Sequence, residues 1–228
     1  MDLSIRLQKI ADLIEPCESV VDVGTDHGYI PIYLVKNNIC KKAIASDINK
    51  GPIERAKNNI RMKGLSGNVK CRLGAGLSTI KKNEVDVAVI AGMGGNLIRD
   101  ILNDKLEVFK ALKYAVIQPT QNVEVFRKYV LDSGYEILGE DICFDEGKFY
   151  QMLKIRYRKA APIEVENEIF YDISENLIKQ KHPVAIEYAQ HLIEKYERVC
   201  SSLNEDTENS KARKIELKKK INSLKEVM

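Results

Sequence analysis

The stretch VVDVGTDHGYIP, Val20 to Pro31, decides the fold of this chain. It begins with a short apolar run that ends on a glycine, and a helical pattern of apolar residues follows from Ile30 to Asn38. Gly24 allows a sharp turn after the first strand, and Gly28 opens the helix where backbone amides can meet a ligand carboxylate. The spacing is G-x-x-x-G rather than the G-x-G-x-x-G of dinucleotide binders, which disfavours a pyrophosphate cofactor.

A helical pattern precedes this stretch, and the strand–helix unit repeats after it. Predicted strands are Ser19–Gly24, Lys42–Ile48, Val69–Leu73, Val85–Ala91 and Tyr114–Gln118, and predicted helices are Leu3–Glu15, Ile30–Asn38, Pro52–Met62, Asn96–Leu102 and Val123–Ser133. Two further strand-like runs, Tyr135–Cys143 and Phe149–Tyr157, are joined by FDEGK and indicate a hairpin. The prediction is an α/β fold in which a seven-stranded sheet, with its last pair antiparallel, is covered by helices on both faces.

The end of the chain has a different pattern. Strand signals stop at a linker, Ala160–Pro162, and two apolar seams with spacings of three and four follow. The first seam is Ile186, Ala189, Ile193, Tyr196, Cys200 and Leu203; the second is Lys214, Leu217, Ile221, Leu224 and Met228, after the polar break Asn204–Ser210. They predict an all-α antiparallel coiled-coil hairpin, which is either a brace or a substrate-gripping arm. The predicted domains are residues 1–159 and 160–228.

Composition excludes several classes of protein. The chain has 228 residues, of which 44% are hydrophobic and 30% charged, a balance typical of soluble globular proteins. No apolar run approaches the roughly 18 residues that span a bilayer, and Met1–Pro16 lacks the features of a signal peptide, so we expect a cytoplasmic protein with no membrane partner. The net charge is +3, and residues 1–158 carry +4 against −1 for residues 159–228.

The cysteines show no metal-binding or disulfide pattern. Cys17, Cys40, Cys71, Cys143 and Cys200 form no CxxC pair and no cluster with histidine. We therefore expect five reduced thiols and no metal site.

The turns after the next strands also have unusual compositions. Asp47 ends the second strand, 23 residues after Gly24, where a carboxylate can accept both hydroxyls of a ribose; the alternative is an N-cap for the helix that follows. LGAGL, Leu73–Leu77, allows close backbone approach to a flat group such as an adenine. AGMGGN, Ala91–Asn96, contains three glycines and predicts a turn that a ligand approaches, with a tight helix entry as the alternative.

Together these turns resemble those of the S-adenosylmethionine-dependent Rossmann-like methyltransferases, whose seven-stranded sheet ends in an antiparallel hairpin. The segments GTDHGYIP, AGMGG, QPTQN and EGKFYQM resemble, in order and wording, the bacterial tRNA (adenine(22)-N1)-methyltransferase family, including its C-terminal coiled-coil domain. The resemblance covers nearly the whole chain. It implies S-adenosyl-L-methionine as cofactor, tRNA as partner and N1 of adenine 22 as the methyl acceptor.

The residues expected to bind the cofactor follow from these turns and from the resemblance. They are Asp22, Gly24, His27, Gly28, Asp47, Ile48, Ala75, Gly76, Ala91, Gly92 and Met93. Family members often carry an acidic or amide residue where this chain has Ala75, so we expect backbone groups at Ala75 and Gly76 to meet the cofactor adenine. Asp22 is expected to organise the loop, and His27 to contact cofactor or phosphate, with simple packing as the alternative.

Asp26 is the candidate catalytic residue. Adenine N1 has its own lone pair, so attack needs no prior proton removal but leaves positive charge on N1 and the exocyclic amine. A carboxylate that accepts a hydrogen bond from that amine would stabilise the cation, and the resemblance points to the same aspartate. The alternative role for Asp26 is an N-cap of the helix from Tyr29. Gly92–Gly95 stand where enzymes acting on exocyclic amines carry Asn or Asp, two prolines and an aromatic residue, which fits a ring-nitrogen target.

The remaining predicted residues concern the RNA. Tyr29, Gly94, Gly95, Gln118, Pro119 and Tyr150 are expected to line the base pocket. Candidate phosphate contacts are Arg6, Lys9, Arg55, Lys57, Arg61 and Lys63, and in the arm Lys218, Lys219 and Lys220, each with a solvated surface position as the alternative. A monomer is expected because a short turn favours pairing of the helices within one chain. The open alternatives are a methyltransferase for a small molecule or protein and a non-catalytic binding module.

Overall fold

The computed structural model describes residues 2–159, 161–204 and 207–228. The chain forms two compact units, Met1–Ile163 and Glu164–Met228. Ala160 of the predicted linker, and Glu205 and Asp206 of the predicted polar break, lie outside the described residues.

The first unit contains a seven-stranded sheet with the order β3-β2-β1-β4-β5-β7-β6. The strands are β1 (Cys17–Val23), β2 (Cys40–Asp47), β3 (Val69–Leu73), β4 (Val87–Gly94), β5 (Tyr114–Gln121), β6 (Tyr135–Asp145) and β7 (Lys148–Tyr157). The pairs formed by β1 to β5 are parallel, whereas β7 is antiparallel to both β5 and β6. The predicted α/β sheet with an antiparallel last pair is therefore confirmed.

Helices cover both faces of this sheet. They are α1 (Ile5–Asp12), α2 (Tyr29–Lys36), α3 (Lys50–Met62), α4 (Gly95–Asp104), α5 (Leu106–Phe109) and α6 (Val123–Asp132), with a 3-10 turn at Gly76–Thr79. Val20 packs with the apolar residues of α1, α2 and α3, whereas the next residue, Val21, packs with those of α4 and α6. Neighbouring strand residues point to opposite faces, so a near-continuous apolar strand supplies both cores.

β4 and β5 continue past their predicted ends. The segment from Ala91 to Gly94 was expected to be a turn, but it continues β4 and pairs with the end of β5, where Met93 lies opposite Pro119 and Gly94 opposite Gln121. The register shifts on both sides of Met93, and Gly92 has a φ of 78°, a value that suits glycine. Strand pairing with a bulge, rather than an open turn, accounts for Gly92.

The expectation of five reduced cysteines is wrong for one pair. Cys17 and Cys40 are register partners at the start of β1 and β2, their Cα atoms are 4.9 Å apart, and they form a disulfide. Their separation along the sequence carries no signal, because the pairing results from the parallel register. Cys71, Cys143 and Cys200 are free.

The second unit is helical. It contains α7 (Ile169–Asp172), α8 (Glu175–Lys179), α9 (Pro183–Ser202) and α10 (Glu208–Val227), and α9 packs against α10. Buried residues at the predicted seams are Ala189, Ile193, Tyr196 and Cys200 on α9 and Leu217, Ile221 and Leu224 on α10. Met228 is 46% exposed, so the second seam ends before it. The coiled-coil geometry itself stays a prediction.

No helix among the described residues is long and apolar enough to cross a membrane.

Candidate active site

A cavity of about 310 Å³ lies at the carboxyl ends of β1 and β4. These strands are neighbours, although β2 and β3 separate them along the chain, so the cavity lies where the strand order reverses. Its lining comes from α1, the end of β1 with the loop after it, the start of α2 and the end of β4: Arg6, Leu7, Asp22, Gly24, Thr25, Asp26, His27, Tyr29, Ile30, Ala91 and Gly92. Many of the predicted cofactor and substrate residues are thus brought together.

Two glycines shape the loop after β1. A Cβ on Gly24 would overlap the methyl group of Met93, so the loop approaches β4 closely at this point. Gly28 is the N-cap of α2 with a φ of 71°, and a Cβ there would lie 3.4 Å from the Cβ of Ala56 on α3. Because Gly28 is the cap, the alternative that Asp26 caps this helix is wrong.

Asp22 is a buried carboxylate at the cavity. Its pKa is raised from 3.8 to about 6; burial is the largest cause, the Thr25 side chain acts in the opposite direction, and the charge of Asp47 raises the pKa further. Ionising this group inside the protein therefore costs free energy. A perturbed carboxylate that lines a cavity is typical of a functional site.

Asp26 lies at the exposed rim and is held by two neighbours. Its Oδ1 accepts a hydrogen bond from Nε of Arg55 at 3.0 Å and a second from Nη2 of the same side chain. Its Oδ2 lies 3.3 Å from Nε2 of His27. The His27 ring stacks on Tyr29, with centroids 5.0 Å apart and an angle of 9° between the planes. The loop therefore presents a carboxylate beside two parallel aromatic rings.

Gln118 links two residues that line the cavity, Arg6 and Gly92. Its Oε1 accepts hydrogen bonds from Nη1 of Arg6 at 2.8 Å and from the backbone amide of Gly92 at 3.2 Å. Its Nε2 donates to the carbonyl of Pro119 at 2.8 Å, and the Arg6 guanidinium lies 5.4 Å from the ring centroid of Tyr150. Gln118 is fully buried, so it positions Arg6 and Gly92 and exposes no surface to a base.

The turns after β2 and β3 are joined to each other. Asp47 Oδ1 accepts a hydrogen bond from the amide of Asn49 at 2.7 Å, and the Asp47 carbonyl accepts one from the amide of Gly74 at 2.9 Å. Asn49, not Asp47, is the N-cap of α3. Ile48, the residue after Asp47, is 66% exposed, so its apolar side chain is open to contact with a ligand. Ala75 is also exposed, and a Cβ on Gly76 would lie 3.0 Å from Ile101.

Several predicted residues lie elsewhere. Gly95 is buried, and a Cβ there would lie 2.5 Å from the carbonyl of Asn122 and 3.0 Å from Cβ of Phe126, so this glycine allows α4 to pack on α6. Pro119 is buried, and a Cβ on Gly94 would meet no atom of the described residues within 4 Å. Arg61 lies in the last turn of α3, exposed, and contacts Asn58 of the same helix at 3.2 Å.

The structure also adds residues that sequence reasoning missed. Thr25 and Leu7 line the cavity, and Nδ2 of Asn59 on α3 donates to the His27 carbonyl at 2.9 Å. The expected phosphate contacts Lys9 and Lys57 form ion pairs with Asp141 and Glu54, both within this unit. These partners depend on tertiary packing or on helix position, so only the i,i+3 pair of Lys57 had a signal in the sequence.

Three features define an S-adenosylmethionine-dependent Rossmann-like methyltransferase: the sheet order, the cavity where this order reverses, and the acidic residues Asp22 and Asp47 at the ends of β1 and β2. Residues 20–226 match the model of the TrmK protein family, tRNA (adenine(22)-N(1))-methyltransferase. The chain belongs to this family. A Bacillus subtilis (strain 168) protein named tRNA (adenine(22)-N(1))-methyltransferase is 32% identical over 234 residues, which cover 100% of this chain and 98% of that protein.

Two solved structures of similar proteins contain the cofactor or its product. A Streptococcus pneumoniae protein in complex with S-adenosyl-L-methionine has a TM-score of 0.86 and 30% identity, and the match covers 99% of each chain. M. capricolum TrmK in complex with S-adenosyl-homocysteine has a TM-score of 0.86 and 26% identity, again over 99% of each chain.

The residues of this chain fit the same cofactor. S-adenosylmethionine carries two positive charges, on sulfur and on the amino group, and a ribose with two hydroxyls. Asp22 and Asp47 stand at the ends of adjacent strands β1 and β2, so two carboxylates are available at this edge of the sheet for these groups. Among the described residues there is no group of three or more His, Cys, Asp or Glu side chains that could hold a metal ion.

Replacing Asp22 by Asn is expected to stabilise the cofactor-free protein. Asp22 favours the folded state fully only below about pH 4, and this contribution is lost as the pH rises through about 6, because the folded protein resists ionisation. Above about pH 6, the free energy of unfolding of Asp22→Asn should exceed that of the wild type by roughly 1–3 kcal/mol. Urea unfolding across this pH range measures the difference, which should disappear below about pH 4.

The matched control is Asp132→Asn, which changes an exposed carboxylate at the end of α6. It should leave this pH dependence unchanged. A wild type and an Asp22→Asn variant with parallel pH profiles would contradict the buried charge.

Proposed function

We propose that this chain transfers the methyl group of S-adenosyl-L-methionine to N1 of adenine 22 in tRNA. The observation that carries the proposal is the family match over residues 20–226, which includes the loop that forms the cavity wall. The substrate named for the Bacillus subtilis relative supports the same base. We also propose that the protein acts in the cytoplasm as a monomer.

The bound cofactor supplies an electrophilic methyl group on a positively charged sulfur. Asp22 and Asp47 would hold its cationic and hydroxyl groups, Gly24 and Gly92 would leave room at the backbone, and Ile48, Ala75 and Gly76 would contact its adenine. Alignment of the two reactants and exclusion of water are then the main requirements, because the displacement needs no prior proton removal from adenine N1.

Asp26 stabilises the charge that develops on the target base. When N1 gains the methyl group, positive charge spreads to the exocyclic amine, and a carboxylate that accepts a hydrogen bond from this amine lowers the barrier. The stacked rings of His27 and Tyr29 border the same cavity and offer an aromatic face to an unstacked base. Adenine 22 must leave its stack to enter, at a cost of a few kcal/mol.

The second unit is proposed to contact the tRNA. Of the three consecutive lysines on α10, Lys220 donates a hydrogen bond at 2.8 Å to the buried Asp172, and Lys219 lies 3.6 Å from Glu168. Lys220 therefore has a structural partner within the unit. Lys218 is exposed and is the lysine of this group that we assign to a phosphate contact.

Labelled S-adenosylmethionine and unmodified tRNA provide the direct test of the reaction. We expect one methyl group per tRNA, at N1 of adenine 22, because the site has a carboxylate for the amine and lacks the residues that grip an amine nucleophile. The same tRNA with guanine at position 22 is the control and should stay unlabelled. Label at another position, or no transfer to any tRNA, would refute the proposal.

Replacing Asp26 by Asn should slow methylation without weakening cofactor binding. The variant keeps the size of the side chain and loses the charge that stabilises the cation, so kcat should fall by roughly 10- to 100-fold. Single-turnover rates at saturating tRNA, together with cofactor affinity by calorimetry, measure the two effects. Asp104→Asn, at the far end of α4, is the control; full activity of Asp26→Asn would exclude the assigned role.

A chain that ends at Ile163 tests the role of the second unit. Both apolar clusters of the sheet lie within the first unit, so the shortened protein should fold and keep its cofactor affinity. Its tRNA affinity should drop by about tenfold or more at moderate salt, since phosphate contacts dominate binding to RNA. If the truncated chain bound tRNA as well as the full chain does, the helices would be a brace only.

A further inference from the structure

Arg55 on α3 forms an ion pair with Asp26. In the proposed reaction, the Asp26 carboxylate stabilises the positive charge that develops on the target base. Nε and Nη2 of Arg55 both donate to Oδ1 of Asp26, and each carboxylate oxygen offers about two acceptor positions. The contact fills Oδ1 and places a guanidinium charge next to the carboxylate. Methylated adenine is itself a cation, so a guanidinium that stayed there would oppose the stabilisation that Asp26 provides.

The pair is easy to separate. The side chain of Arg55 is 49% exposed and that of Asp26 is 59% exposed, and ion pairs with this much solvent contact contribute little to stability. The guanidinium group of arginine can bind a phosphate, like a carboxylate, through two parallel hydrogen bonds. A phosphate of RNA that arrives at the rim of the cavity therefore competes with Asp26 for the same side chain.

Other residues of α3 hold the loop itself. Ala56 packs against Gly28, and Asn59 Nδ2 donates to the carbonyl of His27 at 2.9 Å. Both contacts act on the loop backbone, whereas the hydrogen bonds from Nε and Nη2 of Arg55 go to the side chain of Asp26. Release of Arg55 would leave the loop in place.

We propose that Arg55 exchanges partners when the substrate binds: it pairs with Asp26 in the free protein and with a tRNA phosphate in the complex. The exchange leaves the Asp26 carboxylate to the adenine amine at the moment when the base arrives. Arg55 is thus a positioning residue that couples RNA binding to exposure of the carboxylate. This inference rests on the proposed function.

Four proteins test the exchange: the wild type, Arg55→Gln, Asp26→Asn and the double variant. Their tRNA affinities are measured without the methyl donor at several salt concentrations. We expect Arg55→Gln to reduce the slope of log affinity against log salt by about 0.7 to 0.9, the loss of one phosphate contact. The affinity loss should be larger in the Asp26→Asn background, because Asp26 no longer competes for Arg55 there.

The contrary outcomes differ clearly. If Arg55 acts only by holding Asp26, its substitution has no effect in the Asp26→Asn background; if it binds phosphate without competition, the loss is equal in both backgrounds. Either result overturns the exchange. So does a loss of cofactor affinity in Arg55→Gln, which would assign the residue to the loop backbone.

Arg61→Gln is the matched control on the same helix. Arg61 lies six residues further along, about 9 Å by helical rise, and contacts Asn58 rather than Asp26. Its affinity loss should be the same in both Asp26 backgrounds. Because binding is measured without methyl transfer, a wild type that binds tRNA but leaves adenine 22 unmodified refutes the proposed function separately.

Discussion

The parallel pairing of β1 with β4 is the constraint on which the site depends. Val20 to Val23 lie opposite Val87 to Ile90, although two strand–helix units separate them along the chain. This register brings the loop after β1 and the end of β4 to one edge of the sheet, and the cavity forms between them. Without this pairing, Asp22 and Gly92 would not line the same cavity.

The same pairing buries the carboxylate of Asp22, which lowers the stability of the protein when this group is ionised. Asp22 is at the end of a strand that is buried on both faces, so its carboxylate is removed from water and its pKa rises. Near neutral pH it is mainly ionised, at the expense of stability, and Asp47 on the next strand adds repulsion. A cationic ligand that binds at the two carboxylates would offset both costs, so the fold itself would favour the binding of a cationic cofactor.

Much of the sheet could be predicted because each strand is a local apolar pattern. Val69–Leu73 matches its predicted bounds, and the alternation of Val20 and Val21 supplies both cores, as a parallel sheet requires. The partners that depend on register could not be predicted in this way. Cys17 meets Cys40 because two strands start level. Arg55 meets Asp26 because α3 packs beside the loop, and no spacing between these two positions indicates it.

The glycine-rich segment at the end of β4 shows why composition alone does not locate a site. Gly92 adopts a positive φ, lines the cavity and donates its amide to Gln118, so it serves the ligand-facing surface. Gly95, three residues later, is buried and serves the packing of α4 on α6. One glycine therefore shapes the cavity while the other sets how closely the two helices approach. The segment therefore contributes both to the cavity and to helix packing. A side chain at Gly92 would disturb the cavity directly, and one at Gly95 would disturb it by displacing α4 from α6.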